Sequence, residues 1–514
     1  MPTYLTPGVY VEEVSSGNKP IEGVATAVAA FVGLLPGGPL NKPMRISNWT
    51  QFANIYTDQQ HPENGPFMEG SYTAHAVYGY FQNGGSIAWI IRVGSERGAP
   101  AAQAALPAAT DKEVEALRFV AVGDGNEPVK VDVTEEAHQE GKDGGEQTYK
   151  IVISAGTESE EYEGISMKKG RNFVATKINA ASKLVKVEET GATLPDVRVA
   201  AGSYTLSVPS VAVEKVKATD FEGDVATRRG MGNASALDEV TMLVMPDIVS
   251  LDGDGAEMRD LQGKMIAHAE LMGDRMAILD TPDGLIAQDV LEWRMNTAGY
   301  DSKMAALYWP WIEVMDPLTG RPTRIPPSGH IAGVWARTDE ERGVHKAPAN
   351  EVIRGANGLA FQITHAEQGE LNRNGINCIR AFPGRGIRIW GARTLSSDPE
   401  WRYVNVRRLF NFIAESIMIG TQWSVFEPND ERLWGKLATN VGSFLSRVHR
   451  AGALSGASPT DAFFVKCDAE TNPPEIVEAG QVVCEVGIAP VKPAEFVIFR
   501  LSQFTGGGGA EVEE

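Results

Sequence analysis

Val240-Thr241-Met242-Leu243-Val244-Met245-Pro246-Asp247, Ala277-Ile278-Leu279-Asp280-Thr281-Pro282 and Met304-Ala305-Ala306-Leu307-Tyr308-Trp309 are three apolar runs of strand length, the first two closing on an acid and a proline. Between them, Met258 to Met272 and Gln288 to Thr297 carry apolar residues at helical spacing. An uninterrupted apolar run suits a strand covered on both faces. Strands alternating with helices imply right-handed crossover units around a parallel sheet. The predicted class for this part of the chain is α/β with a doubly wound core.

Upstream the composition changes. Arg97 to Ala109 is rich in Ala and Pro and reads as a linker. Beyond it, the short period-2 runs Val129 to Val133, Tyr149 to Ser154 and Leu184 to Val187 are separated by turns such as Gly123-Asp124-Gly125 and Gly144-Gly145, which predicts a small β-rich unit inserted into the α/β core. Downstream, Tyr403 to Thr421 places Val406, Leu409, Phe410, Ile413 and Ile417 on one helical stripe. A second helix is predicted to start at Asn429 as N-cap, with Asp430 and Glu431 in its first turn, and to stop before Gly452. Its apolar face is Leu433, Leu437, Val441, Phe444, Leu445 and Val448.

The chain of 514 residues has a net charge of -20, which argues against nonspecific binding to DNA or anionic lipid. Asp124 to Glu163 holds 12 acids against 3 lysines and is expected to be a solvated surface. Arg380 to Arg408 carries seven arginines against Asp398 and Glu400 alone, so a negative partner is expected for it. The longest apolar stretch, Val24 to Leu35, is too short for the roughly 20 residues of a spanning helix. Neither a membrane span nor a secretory signal is expected, and assembly is expected in the cytoplasm. Cys378, Cys467 and Cys484 stand far apart without C-x-x-C spacing and read as reduced core thiols.

Both ends carry strand-like segments. Pro7-Gly8 precedes Val9-Tyr10-Val11-Glu12-Glu13-Val14, and Glu495-Phe496-Val497-Ile498-Phe499-Arg500-Leu501 is apolar on both faces. Each end either closes the sheet of its own subunit or pairs with a neighbour; the second arrangement is heterologous and builds an open helical array.

Several blocks carry a resemblance. They are Trp309-Pro310-Trp311, Ile325-Pro326-Pro327-Ser328-Gly329-His330-Ile331-Ala332-Gly333, Ala336-Arg337-Thr338-Asp339, Ala347-Pro348-Ala349-Asn350, Trp390-Gly391-Ala392-Arg393-Thr394-Leu395, Val425-Phe426-Glu427-Pro428-Asn429, Phe464-Val465-Lys466-Cys467 and Ala489-Pro490-Val491-Lys492-Pro493-Ala494-Glu495-Phe496. With Leu5-Thr6-Pro7-Gly8-Val9-Tyr10-Val11-Glu12-Glu13 near the start, they resemble the contractile sheath proteins of phage tails and extracellular contractile injection systems, over about residues 1 to 95 and 236 to 505.

The resemblance implies a homopolymer of stacked, hexameric rings around an inner tube protein, capped by baseplate and terminator proteins, in a virion tail or an injection particle. It also implies that Val9, Tyr10, Val11 and Glu12 at one end, and Phe496, Val497, Ile498, Phe499 and Leu501 at the other, add strands to sheets of adjacent subunits. The organisation expected is an arm over 1–22, a subtilisin-like α/β core from 23–97 and 236–350, a β-rich outer insertion over 98–235, an α+β C-terminal domain over 351–494, and an arm with an acidic tail over 495–514. No cofactor, metal, nucleic acid or membrane insertion is expected.

An enzymatic alternative rests on Asp280 and His330, which stand in the order of subtilisin-like serine peptidases. No G-x-S-x-G or G-T-S-M-A elbow follows; Ser416, Ser424 and Ser455 lack the flanking pattern, so no catalytic residue is assigned. The eight histidines show no metal-ligand spacing, and Gly384-Arg385-Gly386 lacks the G-K-[ST] of a phosphate loop and reads as a turn. One charged face stands out: Arg432, Lys436, Arg447 and Arg450 recur at helical spacing, with only Asn440 and Ser443 between them. It reads either as a solvated helix face or as a contact with an acidic groove on the inner tube.

Overall fold

The computed structural model describes residues 20–58, 62–94, 103–109, 115–122, 129–136, 147–156, 158–189, 199–206, 216–251, 255–317 and 319–500. The apolar runs form the middle of an eight-stranded sheet. Its order is Gly386–Ile389, Ile376–Phe382, Ala305–Trp309, Met276–Asp280, Met242–Val244, Val28–Gly33, Ile87–Arg92 and Met44–Ile46. The inner six strands are parallel, and each edge strand pairs antiparallel with its neighbour.

Side chains alternate across this sheet into two cores. Val28, Ala30 and Val32 enter one, with Met258, Leu261 and Met265 of the helix Ala256–Met272. Ala29 and Phe31 enter the other, with Ala76, Val77 and Tyr80 of the helix Thr73–Gln82 and Ile331, Val334 and Trp335 of the helix Ser328–Arg342. Helices therefore cover both faces, which is why the strands need no polar side. The segment Gln288 to Thr297 is helical as expected, an α-turn over Ala287–Glu292 widening into a π-helix over Trp293–Ala298.

The helices Thr73–Gln82 and Ser328–Arg342 pack unusually close. A Cβ on Gly79 would lie 2.2 Å from the His330 ring, and one on Gly329 would lie 2.4 Å from Ala76, so glycine is the residue that permits the contact. Two carboxylates hold the pair in place, Asp280 at the end of its strand and Asp247 in the 3-10 turn Pro246–Ser250. Buried Asp247 accepts the backbone N–H of Thr73 (3.1 Å) and its hydroxyl (2.6 Å), and Asp280 accepts the N–H of Ser328 (2.9 Å). Each supplies from another element the cap that the first turn of a helix lacks.

Residues between 103 and 206 form two antiparallel sheets. One has three strands, Gln103–Pro107, Glu115–Ala121 and Val185–Glu189; the other has four, Gly202–Thr205, Val129–Glu135, Thr148–Ala155 and Glu158–Ser166. They enclose a separate core with the helix Val174–Ala181. The linker expected over 97–109 is corrected in part: Gln103–Pro107 is a strand, because Ala104 and Leu106 alternate inward and pair with Phe119 and Leu117. The turns expected at 123–125 and 144–145 lie outside the described residues. Gly384-Arg385-Gly386 does turn, joining two antiparallel strands.

Towards the C-terminus, the helices Val404–Gly420 and Glu431–Arg450 pack through Leu409 and Ile413 against Val441, Phe444, Leu445 and Val448. The N-cap of the second is Asp430, not Asn429: Asp430 accepts the N–H groups of Arg432 and Leu433 at 3.0 Å each. Asn429 instead accepts from the Trp434 indole and donates to the Gln481 carbonyl. A two-stranded antiparallel sheet, Phe463–Lys466 with Glu485–Ile488, lies beside this helix pair.

Candidate functional site: two anchored chain ends

Residues 20–26 are tied down although they lead to the outermost part of the chain. Ile21 is buried in the core of the C-terminal helix pair, Val24 N–H donates to Ser416 Oγ (3.1 Å), and the Arg447 guanidinium donates to the Ile21 carbonyl. A Cβ on Gly420 would collide with Ile21 at 2.7 Å, so the helix end has a glycine where the segment crosses it. One layer inward, Arg408 and Asp339 form a bidentate pair (2.8 and 2.5 Å) in which both side chains are only 4% exposed. Arg408 also donates to the Thr26 carbonyl, and Thr26 Oγ1 donates to Asp339. Val9, Tyr10, Val11 and Glu12, expected to pair with a neighbour, lie outside the described residues.

The other end is fixed at one side chain. Glu495 accepts from Arg393 through both oxygens (2.9 and 2.6 Å), from Asn372 Nδ2 (2.6 Å) and from the Tyr403 hydroxyl (3.2 Å). Burial alone would raise this carboxyl, but the bonds from Arg393 and Asn372 and the guanidinium charge outweigh it and hold Glu495 below the usual range. The residues before it line a groove of about 1010 Å³ with Trp390, Tyr403 and His345.

After this anchor the chain becomes largely uncovered, although Phe496 and Val497 still border the groove. Phe496, Val497, Ile498 and Phe499 are 74%, 70%, 79% and 85% exposed, and none belongs to a core cluster. The strand expected here, covered on both sides, finds no partner strand among the described residues of its own chain; Leu501 lies outside them. Four consecutive large apolar side chains in water are not a stable end state for a lone surface.

The helical stripe divides. Arg432 and Lys436 are exposed, and exposed Arg450 donates to the Ser446 carbonyl of its own helix. Arg447 is committed to Ile21 within the subunit. Asn440 does not belong to the stripe. It is buried, because at about 100° per residue it falls beside Leu433 at the border of the apolar face.

Sequence reading of Arg380 to Arg408 expected one negative partner, and the structure gives mixed ones. Arg393 and Arg408 pair with Glu495 and Asp339, which are distant in sequence. Arg380 donates to Gln368, Arg388 to carbonyls, and Arg407 to Asn411. The rings are engaged as well: Arg407 and Lys303 lie 4.3 and 4.4 Å from the Trp401 ring centroid, and Arg385 lies over Phe382 and Trp390.

Asp280 and His330 do not assemble into a catalytic pair. The Asp280 carboxylate is spent on the Ser328 N–H, and the His330 ring is wedged against Gly79, its Nδ1 without a hydrogen-bond partner among the described residues. Burial, reinforced by the nearby His75, pushes His330 down to about 3. Ser416 and Ser424 donate to carbonyls of their own helical turns, and Ser455 has neither residue as a partner among the bonds of the described residues.

Sequence reasoning missed the anchors themselves, Ile21 with Arg447 and Glu495 with Arg393, Asn372 and Tyr403. The only signal was a lone acid in the Val491-Lys492-Pro493-Ala494-Glu495-Phe496 block, which nothing linked to Arg393.

Residues 229–395 match the family model of the phage tail sheath protein central domain, and residues 396–504 match that of the phage tail sheath C-terminal domain. The tail sheath protein of Burkholderia phage BcepMu is 24% identical over 514 aligned residues, 96% of this chain and 95% of that protein. A prophage major tail sheath protein of Pseudomonas aeruginosa is 27% identical over 230 residues, 44% of this chain, and the match spans 57% of that protein's length. The helical sheath of the anti-feeding prophage, solved by cryo-EM in its contracted state, superposes with a TM-score of 0.59 at 25% identity, covering 98% of this chain and 100% of that one.

Proposed function

The chain belongs to the contractile tail sheath proteins, the structural subunits of phage tails and tail-like injection particles, and from that premise we propose that its two ends link copies of it into a helical sheath around an inner tube. The observation that carries this reading is the exposed run Phe496-Val497-Ile498-Phe499 directly after a four-bond anchor. An arm so built is held at its root and offered at its tip.

A receiving edge is at hand in the sheet Phe463–Lys466 with Glu485–Ile488. Two strands alone are marginal in water, and Phe464, Val483 and Val486 are exposed there, so a third strand from a neighbour would complete it. About five backbone bonds at roughly 0.5–1.5 kcal/mol each, with apolar burial of roughly 1.5–3 kcal/mol per fully covered side chain, outweigh an ordering cost of about 1–2 kcal/mol per residue. Such links survive while surface charge pairs of about 0–1 kcal/mol break and re-form.

We read the core as a subtilisin-like architecture that carries no peptidase chemistry, and the outer residues 98–235 as the sheath's external layer. Shortening of the sheath drives the tube towards a target envelope. It proceeds from a kinetically trapped extended state that baseplate contacts release, without a nucleotide. Arg432, Lys436 and Arg450 are the candidate tube-facing cations, with Arg447 shared between that face and the N-terminal anchor.

Removal of residues 496–514 tests the linkage. Sedimentation and negative-stain electron microscopy are expected to show folded, unassembled subunits. Ordinary cylinders formed by the truncated chain would reject the proposal.

A further inference from the structure

We propose that Cys467 and Cys484 form a dithiol that a low-molecular-weight disulfide converts into an intrachain cross-strand disulfide, clasping the sheet Phe463–Lys466 with Glu485–Ile488. Spaced without a motif, the two look unrelated in sequence; all three cysteines are free thiols, as the sequence reading expected, but the fold brings two of them together. The register runs Phe463↔Ile488, Phe464↔Gly487, Val465↔Val486 and Lys466↔Glu485, and the same register continued one residue past the strand ends sets Cys467 opposite Cys484. Residues directly opposite in an antiparallel pair have Cα atoms about 4.5–5.5 Å apart, inside the roughly 4.4–6.8 Å that a disulfide spans. The two thiols share one apolar cluster with Leu433, Trp434 and Leu437, and each shifts the protonation of the other.

Their surroundings hold that geometry. Buried Asn472 donates to the Val483 carbonyl (3.0 Å), accepts the Val483 N–H (2.6 Å) and lies 3.9 Å from Cys467 Sγ, so it fastens the loop 468–483 at the base of the pair. Cys484 is half-buried and Cys467 is buried, which sets the order of events.

The Cys484 sulfur attacks the small disulfide, forming a mixed disulfide and releasing one small thiol with the Cys484 proton. The Cys467 sulfur then attacks Cys484 Sγ, closing the protein disulfide and releasing the second small thiol with the Cys467 proton. Two protein thiols are oxidised and one external disulfide is reduced to two thiols. Burial, with the neighbouring Cys467 adding to it, pushes Cys484 up to about 12, and burial also raises Cys467. Exchange is therefore slow at neutral pH, and a reducing cytoplasm leaves the pair open. Cys378, buried in the central sheet, is an internal control.

The chemistry stands independently of assembly and of the strand-exchange reading. Incubation of the full chain with excess oxidised glutathione at pH 8.5, followed by thiol titration and peptide mapping, tests it. Free thiols are expected to fall from three to one per chain, with Cys467 linked to Cys484 and the species monomeric on a non-reducing gel. The melting temperature is expected to rise by several degrees, reversibly with dithiothreitol. In Cys467→Ser, Cys484 is expected to stop at the glutathione adduct with no such rise. Three persisting thiols, a native chain glutathionylated at Cys484 with Cys467 still free, or linkage between chains would each overturn the proposal. Assembly of the oxidised chain, scored separately by microscopy, bears on the strand-exchange reading alone.

Discussion

Asp280 accepts the Ser328 N–H at 2.9 Å, so the end of one central strand caps the helix that packs against Thr73–Gln82. Burial pushes the Asp280 carboxyl up to about 7, with the bonds from Ser328 pulling the other way. Because the folded value exceeds the unfolded one of about 3.9, its contribution is complete below about pH 4 and is lost as pH rises towards 7, a change on the order of a few kcal/mol. His330 slopes oppositely: its depressed folded value costs stability as pH falls below about 6.5. The comparison with Asp280→Asn isolates the carboxyl. The variant is expected to gain stability relative to the native chain between pH 5 and pH 8 in thermal melts, and a constant difference would refute the assignment.

Asp339→Ala strands the Arg408 guanidinium in a site where both side chains are 4% exposed. Loss of one partner of a buried pair costs about 3–5 kcal/mol, whereas replacing both by apolar residues recovers much of it. Urea unfolding is expected to show a large drop for Asp339→Ala and a smaller one for the double variant Asp339→Leu with Arg408→Met. Equal drops would mean that the pair is not coupled.

Glu495→Gln removes the charge from the C-terminal anchor while keeping its shape. The subunit is expected to lose about 1–2 kcal/mol, reduced by partial exposure of the site, and to assemble poorly. Since the folded carboxyl lies below its unfolded value, the anchor's contribution is present above about pH 4.3 and fades as pH falls through the folded value. Assembly yield of the variant equal to that of the native chain at pH 7 would show that the anchor is dispensable.

Phe426 is fully exposed and has a φ of 66°, a conformation costly for a bulky side chain. Phe426→Gly relieves that strain without emptying any core, so chemical denaturation is expected to show a gain of about 1 kcal/mol in the lone subunit. If the ring serves a contact between copies, the same variant is expected to assemble less well. Lowered subunit stability would contradict the strain argument.

Legibility in the sequence followed physical range. The runs over 240–309 announced strands because burial on both faces leaves no polar side to interrupt them, and the stripe over 404–420 announced a helix because one face alone is buried. Gln103–Pro107 was hidden by its Ala/Pro composition, although its alternation is regular. The placement of Val28–Gly33 beside Met242–Val244 depends on closure across some 210 positions, Ala29 pairing with Met242, which no local pattern encodes. Arg393 and Glu495 are 102 positions apart, and Cys467 comes to the same apolar cluster as Cys484 only beyond the end of a ladder of four residue pairs. The C-terminal end was legible as an unsatisfied apolar segment; what fastens it was not, because it is tertiary.

The Arg393 guanidinium fixes where the outgoing segment starts, and the five residues from Phe496 to Arg500 span at most about 17 Å when fully extended. Under the strand-exchange proposal, a neighbour that holds those residues would be tethered to the Arg393 pin, free to swivel about it and kept from drifting away.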